Sequence, residues 1–338
     1  MKIAQKFLVA IVLTSLLLTA CAGNAANPLS KAKDVPVVLG VYATSIDEPW
    51  DGVIHSALLK AEAEGRIVYR WQDAIGYQGD MERVLLKEIE SDTPDIIFGD
   101  AFGNEEIVRA VAAKYPNIAF VFGSGLGPAE PNLSVFDNWI HEPAYLCGLI
   151  AGRMTKTGVV GVVAGFPVAE VNRLVNAFIH GAREVNPSVK VKVNFINSWF
   201  DPEAAKSAAK SQIAAGADII FAERLGAHEA AMEHDGIFVF GNMADQNALA
   251  PNIILTGPVW NMEPTVNYVL NQVAAGVYTA QDLKDFSSMA KGGASLAPFH
   301  ALESQLPADL KELIASRQVE IVNGLFRVEI NENVPTSD

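Results

Sequence analysis

Cysteine is scarce: there are two in 338 residues, Cys21 and Cys147. That is too few for a disulfide framework or a cysteine-based zinc site. Positive charge is short as well. Lys and Arg number 25 against 39 Asp and Glu, a formal net charge of −14. Nucleic-acid binding normally needs a basic face, so that class is set aside. Past the N-terminus no apolar run reaches the roughly 20 residues that a membrane-spanning helix needs. Catalytic signatures are missing too. The six histidines, His55, His141, His180, His228, His234 and His300, form no His-x-x-x-His or His-Glu-x-x-His zinc pair. No Gly-x-Ser-x-Gly elbow surrounds Ser124 or Ser198. Gly123-Ser-Gly-Leu-Gly127 lacks the Lys-Ser/Thr ending of a phosphate loop and reads as a turn. These absences point away from an enzyme, and nothing calls for a cofactor or a metal.

What is present is apolar and long. Hydrophobic residues make up 50% of the chain, too many for disorder, and the length suits about two cores. The start, Met1 to Leu18, has a basic n-region (Lys2, Lys6) and a short apolar run, the layout of an export signal. It ends in Leu18-Thr19-Ala20-Cys21, which looks like a bacterial lipobox. Residues 1–20 are therefore expected to be a lipoprotein signal peptide, with Cys21 lipidated. Cleavage there removes Lys2 and Lys6 and no acid, taking the charge from −14 to −16. Residues 21–34 are small and polar and read as a flexible tether. The body is then expected outside the cytoplasm, held to a membrane by lipid. Cys147 reads as a small buried hydrophobe.

From Val35 short β-branched runs alternate with helical stretches, the pattern of an α/β fold with parallel sheets. Strand candidates are Val37–Tyr42, Ile67–Trp71, Asp95–Phe98, Ile118–Phe122 and Leu133–Phe136. The pattern restarts with Gly158–Val163, Val189–Ile196, Asp218–Phe221, Ile237–Phe240 and Ile253–Thr256. Asp95-Ile-Ile-Phe98 recurs as Asp218-Ile-Ile-Phe221, and Phe120-Val-Phe-Gly123 as Phe238-Val-Phe-Gly241. Two matched strands in the same order predict two Rossmann-like lobes. Glu263–Ala275 is another helix. The segments Phe286–Lys291 and Val319–Phe326 are expected to close back onto both lobes, giving three interlobe crossovers. The expected lobes are 35–137 plus 258–285, and 138–257 plus 286–330. Hinges are placed near Asp137–His141, Thr256–Asn261 and Asp285–Ser288.

In open parallel sheets ligands sit beyond the carboxyl ends of the strands, and two facing lobes would make a cleft there. The loops at those ends carry Trp50, Phe102, Trp199 and Trp260. Large aromatics are unusual in loops, and a flat aromatic ligand would account for them. Stacking of a base on an aromatic side chain is worth about 1–3 kcal/mol. Carboxylates and amides in the same loops, Asp47, Asp51, Glu223, Asn242 and Asp245, would read the ring's edge.

The chain from about Val37 to Phe326 resembles the basic membrane protein family of substrate-binding lipoproteins. The resemblance lies in Asp47-Glu-Pro-Trp-Asp51, in Ala101-Phe102 (with Gly103), and in Glu142-Pro-Ala-Tyr-Leu-Cys-Gly-Leu-Ile-Ala-Gly152. It extends through Met154-Thr-Lys-Thr-Gly158, Val171-Asn172-Arg173 with Phe178 and Gly181, and Asn197-Ser-Trp-Phe-Asp-Pro202. It implies a type I periplasmic-binding-protein fold and a binding protein for an ABC importer. Its partners would be a small-molecule ligand and a permease; the protein is read as a monomer. Trp50 and Trp199 stand where family members sandwich a purine, and Asp51 stands for a family Asn. A carboxylate only accepts, which favours an edge rich in N–H groups. Met243 replaces an Asp that holds ribose, and Trp260 replaces a Lys near the sugar. These changes imply a free base, adenine first, with a purine nucleoside or riboflavin as alternatives. A ligand-binding component of a signalling receptor fits the same body.

Overall fold

The computed structural model describes residues 35–338, so the expected signal peptide, Cys21 and the whole of the expected tether lie outside the described residues. The first half builds β1 (Val37–Val41), α1 (Pro49–Ala63), β2 (Val68–Gln72), α2 (Asp80–Ser91), β3 (Ile96–Asp100), α3 (Glu105–Lys114), β4 (Ala119–Gly123) and β5 (Leu133–Phe136). The second half builds α4 (His141–Met154), β6 (Val159–Ala164), α5 (Ala169–Val185), β7 (Lys190–Phe195), α6 (Pro202–Ala214), β8 (Ile219–Ala222), α7 (Ala227–Met232), β9 (Phe238–Phe240) and β10 (Ile254–Thr256). The first sheet runs β2-β1-β3-β4-β5 and the second β7-β6-β8-β9-β10. Every pairing in both is parallel. The two orders are the same once the second is renumbered from its own first strand. The chain is thus two Rossmann-like lobes of one topology.

The central strands are buried from end to end because helices cover both faces. Ile96-Ile-Phe-Gly-Asp100 and Ala119-Phe-Val-Phe-Gly123 have no exposed residue. Helix α5 shows Val171, Leu174, Val175 and Phe178 to the core at helical spacing. It packs against α4 at backbone contact distance. A Cβ on Gly148 would lie 2.1 Å from the Phe178 carbonyl oxygen, so only glycine permits this approach.

The chain crosses between lobes three times. It enters the second lobe after β5 and returns through β11 (Pro258–Trp260) into α8 (Glu263–Ala275), which packs on α1. Residues 281–283 run beside β5, where Leu283 N–H donates to the Val135 carbonyl at 2.7 Å. The last crossing leads to β12 (Ala294–Leu296), antiparallel to β11, and to α9 (Ala308–Val322), which packs on α4. The two closing segments differ from expectation. Phe286–Lys291 falls in two 3-10 turns, spanning Lys284–Ser287 and Met289–Lys291. Val319–Val322 ends a helix: Leu310, Ile314 and Ile321 are buried on one face while Val319 and Val322 are exposed, so helical spacing outweighs the β-branched run. The C-terminal residues bind the edge of the second sheet, where Val191 N–H donates to Asp338 Oδ2 at 2.8 Å.

Candidate functional site

Both lobes turn strand ends into a facing cleft. In the first lobe Thr44 follows β1, Asp100 ends β3 and Ser124 follows β4. In the second Glu170 opens α5, Trp199 follows β7 and Arg224 follows β8. All six line one cavity, with Glu48, Trp50, Asp51, Tyr77 and Phe102. Its volume is about 30 Å³. That is room for a water or two, so a ring is seated only with the lobes or the lining side chains further apart than here.

The sequence around α1 explains how Trp50 and Asp51 reach the cavity. Glu48 caps the helix, accepting from Trp50 N–H at 2.8 Å and Asp51 N–H at 3.4 Å, and Pro49 opens its first turn. Trp50 is 7% exposed. Its indole stacks on Phe136, centroids 5.9 Å apart at 15°, and leans on Trp260 at 5.1 Å. Gly123 lies under it, where a Cβ would collide with the ring. Its Nε1 donates across the cleft to Glu170 Oε1 at 3.1 Å. Trp199 precedes the Asp201 cap of α6. It meets Phe102 edge-on at 5.1 Å and Phe166 at 4.8 Å. The Arg224 guanidinium lies 5.3 Å from its ring centroid.

Four carboxylates line the cavity, on Glu48, Asp51, Asp100 and Glu170, beside one cation, Arg224. Burial pushes Asp51 well up, and the charge of Asp100 adds to it. Burial also raises Asp100, to about 7, although the Phe102 N–H bond opposes the shift. Glu170 is raised well above the carboxylate range by burial and then by the charge of Asp137. Burial raises Glu48 too, while Arg224 pulls it back. Asp51 Oδ2 accepts from the Thr44 N–H at 3.0 Å and from its hydroxyl. Asp51 Oδ1 is buried with no partner.

The lobes are joined here. Glu48 Oε1 of the first lobe accepts from Arg224 Nη1 of the second at 2.9 Å. Both side chains are at most 5% exposed. Arg224 is held on its own side by Glu223 and by the Trp199 carbonyl at 3.1 Å.

The predicted residues divide. Trp50, Asp51, Phe102 and Trp199 come together on the cavity. Glu223 and Asn242 stand behind Arg224: Glu223 accepts from Gly165 N–H at 2.9 Å and from Asn242 Nδ2 at 3.3 Å. Asp47, Asp245 and Trp260 line a separate groove of about 630 Å³ on the far side. Asp47 faces away because Glu48 takes the cap. Asp245 pairs with His300 at 2.7 Å. Trp260 is buried and donates to Ser287 Oγ at 3.0 Å. Met243 is fully buried and faces that groove, so the two supposed sugar positions do not bound the cavity. Asn172 does not reach it either. Its Nδ2 donates to the carbonyls of Pro167 and Glu332, which fastens the C-terminal segment. Gly103 supports Phe102 from a left-handed turn (φ 70°), with the Tyr77 ring against it.

Sequence reading missed Thr44, Glu48, Tyr77, Asp100, Ser124, Glu170 and Arg224. Glu48 was findable as the residue before Pro49 at a helix start. Arg224 lay beside the chosen Glu223, and nothing in the letters tells which of the two faces the cleft.

Comparison with known proteins bears on this geometry. The family model described as "Bmp: ABC transporter substrate-binding protein PnrA-like" matches residues 35–305. A purine-binding protein of Brucella abortus (strain 2308) is 33% identical over 246 residues, 72% of this chain and 68% of that protein. A Haloferax volcanii protein provisionally named as the ABC transporter glucose-binding protein TsgA13 is 32% identical over 245 residues, 72% of this chain but 61% of that protein. Among solved structures, an ABC transporter solute-binding protein from Aeropyrum pernix K1 superposes with a TM-score of 0.73 at 17% identity, covering 88% of this chain and 94% of that one. That last likeness is one of fold. With a matching model over most of its length, the chain belongs to the Bmp family of PnrA-like ABC transporter substrate-binding proteins, which bind substrates and are not enzymes.

Proposed function

We propose that the chain binds a free purine base, with adenine first, in the cleft between its lobes and hands it to an ABC permease outside the cytoplasm. In this reading Cys21 carries the lipid that holds the protein to a membrane, and the protein acts as a monomer. One observation carries the ligand class: Asp51 Oδ1, buried in the cavity wall beside Trp50, has no hydrogen-bond partner. A buried acceptor left unmade is costly, and an amino or ring N–H on a flat ligand supplies the missing donor. Trp199, Phe102 and Tyr77 offer the apolar surface for the ring. The purine named in the Brucella abortus relative supports the same class.

The test is calorimetry with adenine, hypoxanthine, adenosine, riboflavin and glucose. Adenine is expected to bind most tightly. Glucose is included for the name of the Haloferax volcanii relative; glucose binding without purine binding would overturn the proposal. Asp51→Asn replaces an acceptor by an amide and is expected to weaken adenine by about tenfold or more, equivalent to about 1.4 kcal/mol. Unchanged affinity in that variant would remove Asp51 from the site. An N–H donor also stabilises the ionised form of Asp51, whose proton is held tightly when the site is empty. Adenine binding is therefore expected to release protons at the pH values where the empty site holds Asp51 protonated, read as a dependence of binding heat on buffer ionisation enthalpy.

A further inference from the structure

Neighbouring residues of two short segments line the cavity and the groove in turn, so those segments stand between them. Glu48 and Trp50 face the cavity, while Asp47 and Pro49 face the groove. Across the cleft Arg224 faces the cavity and Leu225 the groove. We propose that the Glu48–Arg224 ion pair is a partition that sets ligand length, restricting the site to a bare ring system and excluding rings that carry a sugar. The proposal rests on purine binding in the cleft.

The space on the two sides is unequal: about 30 Å³ in the cavity and about 630 Å³ in the groove. The groove carries Asp47, Gln246 and Asn261, groups able to meet hydroxyls. Room and chemistry for a sugar are therefore present, but on the wrong side of the pair. The partition is also conditional. Its halves belong to different lobes, so it exists only when the lobes close. A substituent passing from the cavity toward the groove would keep Glu48 from Arg224. Glu48 would then be buried without its cation, while Arg224 kept only Glu223, an outcome costly enough to hold the lobes ajar. Discrimination then comes from closure, with binding energy of the correct ligand assembling the wall.

The experiment measures adenine and adenosine affinity in the wild-type protein and in Glu48→Ala/Arg224→Ala. The double change removes both halves of the pair; Glu48→Gln alone, which keeps an acceptor for the α1 cap and leaves Glu223 its arginine, is measured beside it and is expected to shift the preference the same way. Wild type is expected to favour adenine by about 100-fold or more, and the double variant by about tenfold or less, chiefly through a gain for adenosine. If the variant does not fold, small-angle scattering on wild type decides: adenine compacts the protein and saturating adenosine does not. Adenosine binding in wild type within tenfold of adenine overturns the partition. So does equal compaction by both, or a folded variant that still binds adenine without gaining adenosine. If wild type binds neither compound, the proposed function falls and the partition with it, an outcome distinct from the other three.

Discussion

Trp50 does two jobs with one ring. One face rests on Phe136 and Trp260 packs against it at a tilt of 52°, so most of the indole is core, and only the remainder is offered to a ligand. Trp199 is less buried and meets Phe102 and Arg224 in the cleft. The two substitutions should therefore separate. Trp50→Ala is expected to cost about 3–5 kcal/mol of stability, seen as a large drop in the urea midpoint. Trp199→Ala should leave the midpoint within about 1 kcal/mol and weaken ligand binding by about tenfold or more. Equal stability losses in the two variants would contradict this division. Asp100 gives a pH signature. Burial raises its carboxyl from 3.8 to about 7. Between those values the folded protein holds a proton that the unfolded chain has lost. Its contribution to stability is whole below about pH 4, declines as pH rises, and is gone above about pH 7. Asp100→Asn should flatten that decline by at most about 1.4 kcal/mol per pH unit, measured by denaturation at pH 5 and pH 8. An unchanged slope would mean that Asp100 is not the group responsible.

At the scale of elements, helix starts decide where the functional groups point. The Glu48 cap turns Trp50 and Asp51 inward and leaves Asp47 outside, and the Asp201 cap with Pro202 fixes the loop that carries Trp199. Strand and helix positions in both lobes were legible because buried parallel strands are continuous apolar runs and the covering helices keep their period. The end of the chain was less legible. Val319-Glu-Ile-Val322 has strand-like letters, yet α9 wins because Leu310, Ile314 and Ile321 bury on one helical face. Helix contacts are also fixed by single residues. Gly148 admits the Phe178 carbonyl at a distance no Cβ allows. Gly148→Ala should force α4 from α5 and lower stability by about 1–3 kcal/mol, read from the thermal midpoint. A midpoint equal to wild type would show that α4 and α5 shift apart at no cost.

For the molecule as a whole, closure is the functional variable. Glu48–Arg224 and Trp50–Glu170 both bridge the lobes, so the described state is a closed one. Two groups on each side must part for a ring to enter a cavity this small. Adding adenine is expected to change tryptophan fluorescence, because Trp50 and Trp199 both line the cavity. A titration that shows calorimetric binding but no spectral change would place the ligand elsewhere. No helix among the described residues is long and apolar enough to cross a membrane. The sequence by itself determined two lobes of like topology and the strand-end loops that carry aromatic and acidic side chains. Those follow from local periodicity and from repeated strand letters. The tertiary structure alone decided which loop residues share a cavity. Asp47 and Glu48 are neighbours in the chain, as are Glu223 and Arg224, but in each pair one residue lines the cavity and the other does not. Backbone direction at a cap or a strand end makes that choice, and the partner lobe then completes it: Glu48 faces inward onto an arginine 176 residues away.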